Sequence, residues 1–298
     1  MPLRVLDPGL YTLIVDYGRP HCRSLGVPVG GAADWAALAL GNALVGNAPN
    51  TPALEITLAG PTVRAECELA CVVFGASLEL TGNRQRLQSG RTFVLEEGEV
   101  LHVGGVRRGA RAYLCVAGGF DGPEVLGSRS GLAPVTADTL LACSPSRIHG
   151  RFLTLPAEEP FLLRVLPGPQ ADWFDGDALS QHPYLVTPAA NRMGLRLDGE
   201  PLDRHRREEL LSEPVCPGTV QIMHDGRPTI LGVDAQTIGG YPKIAQVIAA
   251  DLDKLGQLRP GDTVRFSHVS LVEATRLYRQ KEAALANWVL RLRASLPL

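Results

Sequence analysis

The stretch TVQIMHDGRPTILGVDAQ, residues 219–236, decides the class of fold. Two short apolar runs rich in valine, isoleucine and leucine flank His224-Asp225-Gly226-Arg227. An Asp-Gly pair between such runs is a hairpin signal, because it supplies the positive φ that tight turns need. The stretch predicts two antiparallel strands. Outward from it the same signal recurs. YTLIVDYG, CELACVVFGASLEL, RTFVLEEGEVLHVGG, ARAYLCVAGGF, FLLRVLPG and DTVRFSHVSL are short, apolar and bounded by glycine, proline or aspartate. TGNR (81–84) reads as another hairpin turn, and EEGE and RPGD as further turns.

Three segments read as helix. Asp34 is placed to cap WAALALGNALVG, and Gly46-Asn47 supplies its stop. Pro242 fits the first position of a helix over PKIAQVIAADLDKL that ends at Gly256. From Leu271 to Leu296, Leu271, Ala274, Leu277, Ala284, Leu285, Trp288, Val289 and Leu292 recur at helical spacing. This amphipathic tail is expected to pack on its own domain, with docking to a partner as the other reading.

Proline, serine and charge interrupt the strands near SPSRIHGRFLTLPAEEP. TGNR then EEGE in one half, and HDGR then RPGD in the other, form a faint repeat. The expected organisation is an N-terminal β domain over 1–152 and a C-terminal β domain over 153–298 that carries the final helix.

Charge is nearly balanced, with 29 basic against 31 acidic residues, which argues against a nonspecific nucleic-acid binder. Lys243, Lys254 and Lys281 are the only lysines, so the basic residues are mostly arginine. Arginine is the better anion clamp, but a GC-rich genome produces the same bias. The first twenty residues hold no apolar run long enough for a signal peptide or a span, so the chain is expected to be soluble and cytoplasmic. The six cysteines form no CxxC pair, and Cys67 and Cys71 read as buried thiols. No phosphate loop, GxGxxG fingerprint, HExxH or GxSxG elbow occurs; GSRSG puts Arg129 where an elbow needs serine. No metal site is expected. Dense polar loops without a complete catalytic set suit one part of a composite enzyme.

The approach to Pro242 is the candidate substrate site. In QTIGGYP, Gly239 and Gly240 let backbone come close to a ligand, and a helix start beyond Pro242 would favour an anion. Lys243 and Ile244 would then supply free N–H donors, Gln236 and Thr237 an amide and a hydroxyl, and Tyr241 a ring face and a phenol. A carboxylate, a ureido carbonyl or a phosphate would suit; corner geometry is the plainer reading. In NRMGLRL, Arg192 and Arg196 flank Gly194 and share a face if the segment is extended, suited to clamping an anion or to bonding loop carbonyls. Asp16, Arg19, Asn47 and Glu55 are candidates for a partner-facing or second site, or for loop stabilisation.

Several ordered stretches together carry a family resemblance: DYGRPHCRSLGVPVGGAAD, GNALVGNAPNTPALEITLAGP, GSRS, LRVLPGPQ, NRMGLRLDGEPL, SEPVCPGTVQ and TIGGYPKIAQVIAADL. From about residue 9 to 268 the chain resembles the KipA-like biotin-dependent carboxyltransferase family, also called allophanate hydrolase subunit 2, which includes the C-type component of 5-oxoprolinase. The resemblance implies a mainly β fold of two cyclophilin-like β-barrel domains with a few helices. It also implies a KipI-like partner (the B-type component of 5-oxoprolinase) and a lactam-utilisation partner (the A type). The implied activity is that of one component of an ATP-dependent 5-oxoprolinase complex, opening the lactam of 5-oxoproline to glutamate, with ATP acting at the level of the complex. Two rivals stay open. One is a carboxyltransferase component acting on urea or a similar amide, with biotin arriving on a separate carrier. The other is a regulatory protein that only sequesters its KipI-like partner. The sequence departs from the family after GSRS, where GLAPVTADTLLACSPSR is short and keeps only Asp138-Thr139-Leu140 of the usual motif.

Overall fold

The apolar runs become strands in a computed structural model, which describes residues 2–84, 87–154, 162–206 and 208–294. Two units emerge. The first comprises residues 1–18, 34–156 and 284–298; the second comprises 19–33 and 157–283. The chain thus passes between units at more places than the single break expected at 152/153, and part of that expected junction, 155–161, lies outside the described residues.

The first unit is a curled half-barrel sheet. Its strands are β1 (Pro2–Asp7), β2 (Thr12–Val15), β3 (Ala53–Thr57), β4 (Thr62–Ala65), β5 (Leu69–Gly82), β6 (Phe93–Leu95), β7 (Val100–Val116) and β8 (Leu140–Ala142). The order is β2-β3-β7-β4-β1-β8, with β5 pairing both β7 and β6. The β5–β7 ladder runs from Cys71 opposite Val116 to Gly82 opposite Leu101, and its register shifts between Gly75 and Leu80. Gly75 permits the bend: its φ is +117°, and a Cβ there would stand 2.8 Å from the Arg111 carbonyl oxygen. Leu3, Val5, Leu54, Ile56, Val63, Leu101 and Leu114 fill the concave side. Cys67 and Cys71 are buried there, as their apolar setting predicts. Helix α1 (Trp35–Leu44) is capped as expected by the Asp34 side chain, which accepts from Ala37 N at 2.8 Å. Gly46 follows its end with φ +86°.

In the second unit the strands and helices are β9 (Leu162–Pro167), α2 (Ala178–Gln181), β10 (Tyr184–Val186), β11 (Gly194–Asp198), β12 (Glu213–Pro214), β13 (Thr219–Ile222), β14 (Pro228–Leu231), β15 (Ile238–Gly239), β16 (Lys243–Val247), α3 (Leu252–Gln257) and β17 (Thr263–His268). Seven strands close a barrel in the order β10-β11-β14-β13-β16-β9-β17, and β12 pairs β15 in a short separate ribbon. Val165, Val186, Leu197, Val220, Ile222, Ile230, Val264 and Phe266 belong to the barrel core. The HDGR turn joins β13 to β14 as the sequence predicts. The first part of the final helix, α4 (Leu271–Ala294), packs Ala274 and Leu277 against Ile248 and Ala250 of the second unit, while its residues from 284 on belong to the first. No helix among the described residues is long and apolar enough to cross a membrane.

One expected helix is absent. Over Pro242–Leu255 the chain forms strand β16, a 3-10 turn at Ala249–Asp251, and only then the six-residue α3. Ile244, Val247 and Ile248 are β-branched and suit a strand. β16 is also paired on both sides, Lys243 opposite Gln221 of β13 and Gln246 opposite Leu166 of β9. Two ladders outweigh a weak local helix preference.

Candidate functional site

Two cross-strand pairs stack in the second unit. In the barrel, Gln221 and Lys243 are direct partners across the β13–β16 ladder, so their side chains share a face. Val220 and Ile222, on either side of Gln221, belong to the core, which places Gln221 and Lys243 on the outer face. In the ribbon, Glu213 and Gly239 are partners. Glu213 Oε2 meets Lys243 Nζ at 2.8 Å. A Cβ on Gly239 would stand 2.6 Å from Gln221 Nε2, so with glycine there the ribbon lies on that amide where any larger residue would displace it.

Gln170, just after β9, ties the layers together. Its Oε1 accepts from Lys243 N at 3.0 Å, its backbone N–H donates to Lys243 O at 3.2 Å, and its Nε2 donates to Glu213 Oε2 at 3.3 Å. Hydrogen bonding and charge from Lys243 hold the Glu213 carboxyl below its usual range. Burial is unequal: the Lys243 side chain is 4% exposed and that of Glu213 44%. The ammonium also donates to Tyr241 O at 3.3 Å. Its third N–H has no partner among the described residues. The Gln221 side chain is buried, and its Nε2 has none either. A buried cation and an unpartnered amide on one face form a donor set for an anion or a carbonyl oxygen.

The sequence-nominated residues distribute around this set unevenly. Lys243 and Gly239 are in it, and Tyr241 contributes its carbonyl while its ring packs edge-on to His224 at 5.1 Å. Gly240 is half-buried beside Leu210 O, Gln236 is exposed, and Thr237 gives its carbonyl to Val215 N. The free N–H groups of a helix start are not there: this is a strand, and Lys243 N is taken by Gln170. Nor do Arg192 and Arg196 share a face. Asn191 and Gly194 exchange backbone bonds in a tight turn, so Arg192 is buried and Arg196, in β11, is exposed. Arg192 is a structural residue. It holds Asp234 through Nε at 2.6 Å and Nη2 at 2.9 Å, and Nη2 also donates to Gly31 O at 2.6 Å. Gly194 packs against Thr229.

Asp16, Arg19, Asn47 and Glu55 are all buried. In the first unit, Asp16 accepts from Ser128 Oγ (2.5 Å), Ser130 Oγ (2.6 Å), Arg129 N (2.7 Å) and Gly18 N (2.8 Å). Burial alone would raise its pKa, but these donors together hold it below the usual carboxylate range. Asp16 thereby anchors the GSRS loop. Asn47 bonds Asn42 Oδ1, Val116 O and Gly118 N. Glu55 accepts from Tyr113 Oη at 2.9 Å and pairs with Arg111 at 3.5 Å. In the second unit Arg19 N donates to Val29 O. The Asp16 and Asn47 bonds thus hold loop backbone, whereas Glu55 bonds between strands β3 and β7.

Reasoning from sequence missed Gln170, Glu213 and Gln221. The signals were present: LRVLPGPQ and SEPVCPGTVQ are among the stretches that carry the resemblance, and Gln221 is the polar interruption of TVQIM.

Comparison with known proteins resolves the family. The model for the carboxyltransferase domain, subdomain A and B, matches residues 25–268. The chain belongs to that family. It is 36% identical to the C-type component of 5-oxoprolinase from Escherichia coli (strain K12), covering 94% of this chain and 95% of that one. Urea amidolyase of Lachancea kluyveri is 29% identical over 94% of this chain, which spans only 18% of that protein. Among solved structures, the Kluyveromyces lactis urea amidolyase superposes with a TM-score of 0.87 at 29% identity, covering 96% of this chain and 20% of that one. TTHA0988 superposes with a TM-score of 0.81 at 36% identity, and this chain spans 55% of it. The carboxyltransferase fold therefore occurs both as a separate polypeptide and inside longer ones.

Proposed function

We propose that this chain is the C-type component of a cytoplasmic, ATP-dependent 5-oxoprolinase complex. In this reading it works with a KipI-like B-type partner and a lactam-utilisation A-type partner to open 5-oxoproline to glutamate. The observation that carries it is the 36% identity to a C-type 5-oxoprolinase component along nearly the full length of both chains. The site is consistent in chemistry. The Lys243 ammonium suits the carboxylate of 5-oxoproline, and the Gln221 amide suits its carbonyl oxygen, where a preorganised donor would stabilise developing charge. Glu213 and Gln170 orient Lys243. ATP acts at the level of the complex.

The second reading, a carboxyltransferase component acting on urea or a related amide, is favoured by the urea amidolyase similarity. In it biotin arrives on a separate carrier, and the Gln221 amide would face its ureido carbonyl. Reconstitution separates the two. Mixed with its B-type and A-type partners, the chain is expected to support 5-oxoproline-dependent ATP hydrolysis, with no turnover by the chain alone. Absence of that activity in the full mixture, together with carboxyl transfer from carboxybiotin to urea, would replace the first reading by the second.

A further inference from the structure

We propose that Glu213 is a built-in carboxylate plug: it occupies the position on Lys243 that a ligand carboxylate takes, and the ligand enters by displacing it. This deepens the reading above, since it concerns the same site, and it makes the ligand class a small carboxylate.

Three observations carry it. The two members of the ion pair are unequally buried, with Lys243 at 4% and Glu213 at 44%, so the carboxylate is the half of the pair that solvent reaches. Glu213 sits on β12, a two-residue strand whose only ladder is to the two residues of β15, whereas Lys243 sits in a closed barrel strand paired on both sides. Movement therefore belongs to Glu213. Finally, Gln221 Nε2 lies beneath the same ribbon without a partner, although the residue is 1% exposed. A native buried amide left unpaired is unusual, and a ligand acceptor would satisfy it.

The energetics select the class. A buried ammonium without a counter-ion is strongly unfavourable, so Glu213 cannot leave unless another anion replaces it. A carboxylate-for-carboxylate exchange preserves the pair and is nearly neutral, while the added bond to Gln221 tips it toward the ligand. An uncharged amide gives Lys243 nothing in exchange. Gln170, which donates to Glu213 at 3.3 Å, steadies the plug in the closed position.

The chain has three lysines, so tandem mass spectrometry assigns each label to its residue, and Lys254 and Lys281 serve as internal references. The full chain is labelled with an N-hydroxysuccinimide ester and read by mass spectrometry. Lys243 is expected to react slowly in the wild type and several-fold faster in Glu213→Gln, and acetate or 5-oxoproline should restore its protection without changing the references. An unaltered Lys243 rate in folded Glu213→Gln overturns the plug, as does acceleration that no carboxylate reverses. A wild-type measurement avoids dependence on the variant: melting temperature should rise with 5-oxoproline or acetate and not with 2-pyrrolidinone, which keeps the lactam and lacks the carboxylate. Equal stabilisation by 2-pyrrolidinone also overturns it. Protection by acetate without any by 5-oxoproline leaves the plug standing and removes the oxoprolinase reading instead.

Discussion

Arg151 donates from Nη2 to the carbonyl of Leu292 at 2.9 Å, near the end of α4, while its Nη1 donates to Leu44 O at 3.1 Å at the end of α1. One guanidinium thus serves orphan carbonyls at the C-termini of two helices, where the helix dipoles also favour a cation. Arg151→Met is expected to cost about 2 kcal/mol through those charge-assisted bonds. Arg151→Lys should recover only part, because a single ammonium does not reproduce the fork. Urea denaturation of the three proteins checks the order, and Met equal to wild type would refute it.

Acid stability should be set by buried carboxylates. Besides Asp16, Asp251 is fully buried; burial would raise its carboxyl, but Arg164 Nε (2.8 Å), Arg164 N (2.9 Å) and Lys254 hold it below the usual range. A depressed folded pKa means stability that is fully present above the unfolded value and is lost as pH falls through the folded one. The expected loss therefore begins below about pH 4. Asp16→Asn also turns one acceptor into a donor facing the hydroxyls of Ser128 and Ser130 or the Arg129 N–H, at about 2 kcal/mol near neutral pH. Melting curves from pH 7 to 3 should converge for wild type and Asp16→Asn as acidity increases. A gap that widens instead would contradict the sign.

The hairpin at HDGR and the Asp34 cap were legible because each is a local matter, settled by a few adjacent residues. β16 was not. Its identity depends on partners in β13 and β9 that lie far off in sequence, and the run from Pro242 satisfies helix rules until those partners are known. The site follows the same division. Lys243 and Gly239 stand close together in QTIGGYPK; Gln170 joins Lys243 from 73 residues away, and the Gln170–Glu213 bond spans 43 residues.

Arg192 illustrates how a correct residue type can carry a different role. It is buried, bidentate on Asp234, and bonded to Gly31 O. Removing one partner of such a pair leaves the other uncompensated, so Arg192→Ala should destabilise the chain by about 3 kcal/mol. Arg196→Ala, on an exposed strand position, should change stability by less than about 0.5 kcal/mol. Thermal melting distinguishes them. Should Arg192→Ala melt like the wild type and lose only activity in the reconstituted complex, the substrate clamp read from its spacing would be restored.

Two glycines near the site should respond in opposite ways. A Cβ on Gly168 would overlap the carbonyl oxygen of Lys243 and stand 2.8 Å from the Ile244 carbonyl carbon. Both are backbone atoms of a strand fixed by two ladders, so neither yields. Gly168→Ala is expected to cost about 3 kcal/mol and to disturb the Gln170 bonds two residues on. At Gly240 a Cβ would lie 3.2 Å from Leu210 O, so that carbonyl must give by a few tenths of an ångström, and 3.6 Å from Ser212 Oγ in ordinary contact, with no positive φ against it. Gly240→Ala should therefore stay within about 1 kcal/mol of wild type. Its closeness to the ribbon makes it a probe of the site rather than of the fold. Denaturant midpoints for the two alanine variants give the comparison, and a Gly240→Ala protein less stable than Gly168→Ala would show that the β9–β16 contact is not the rigid one.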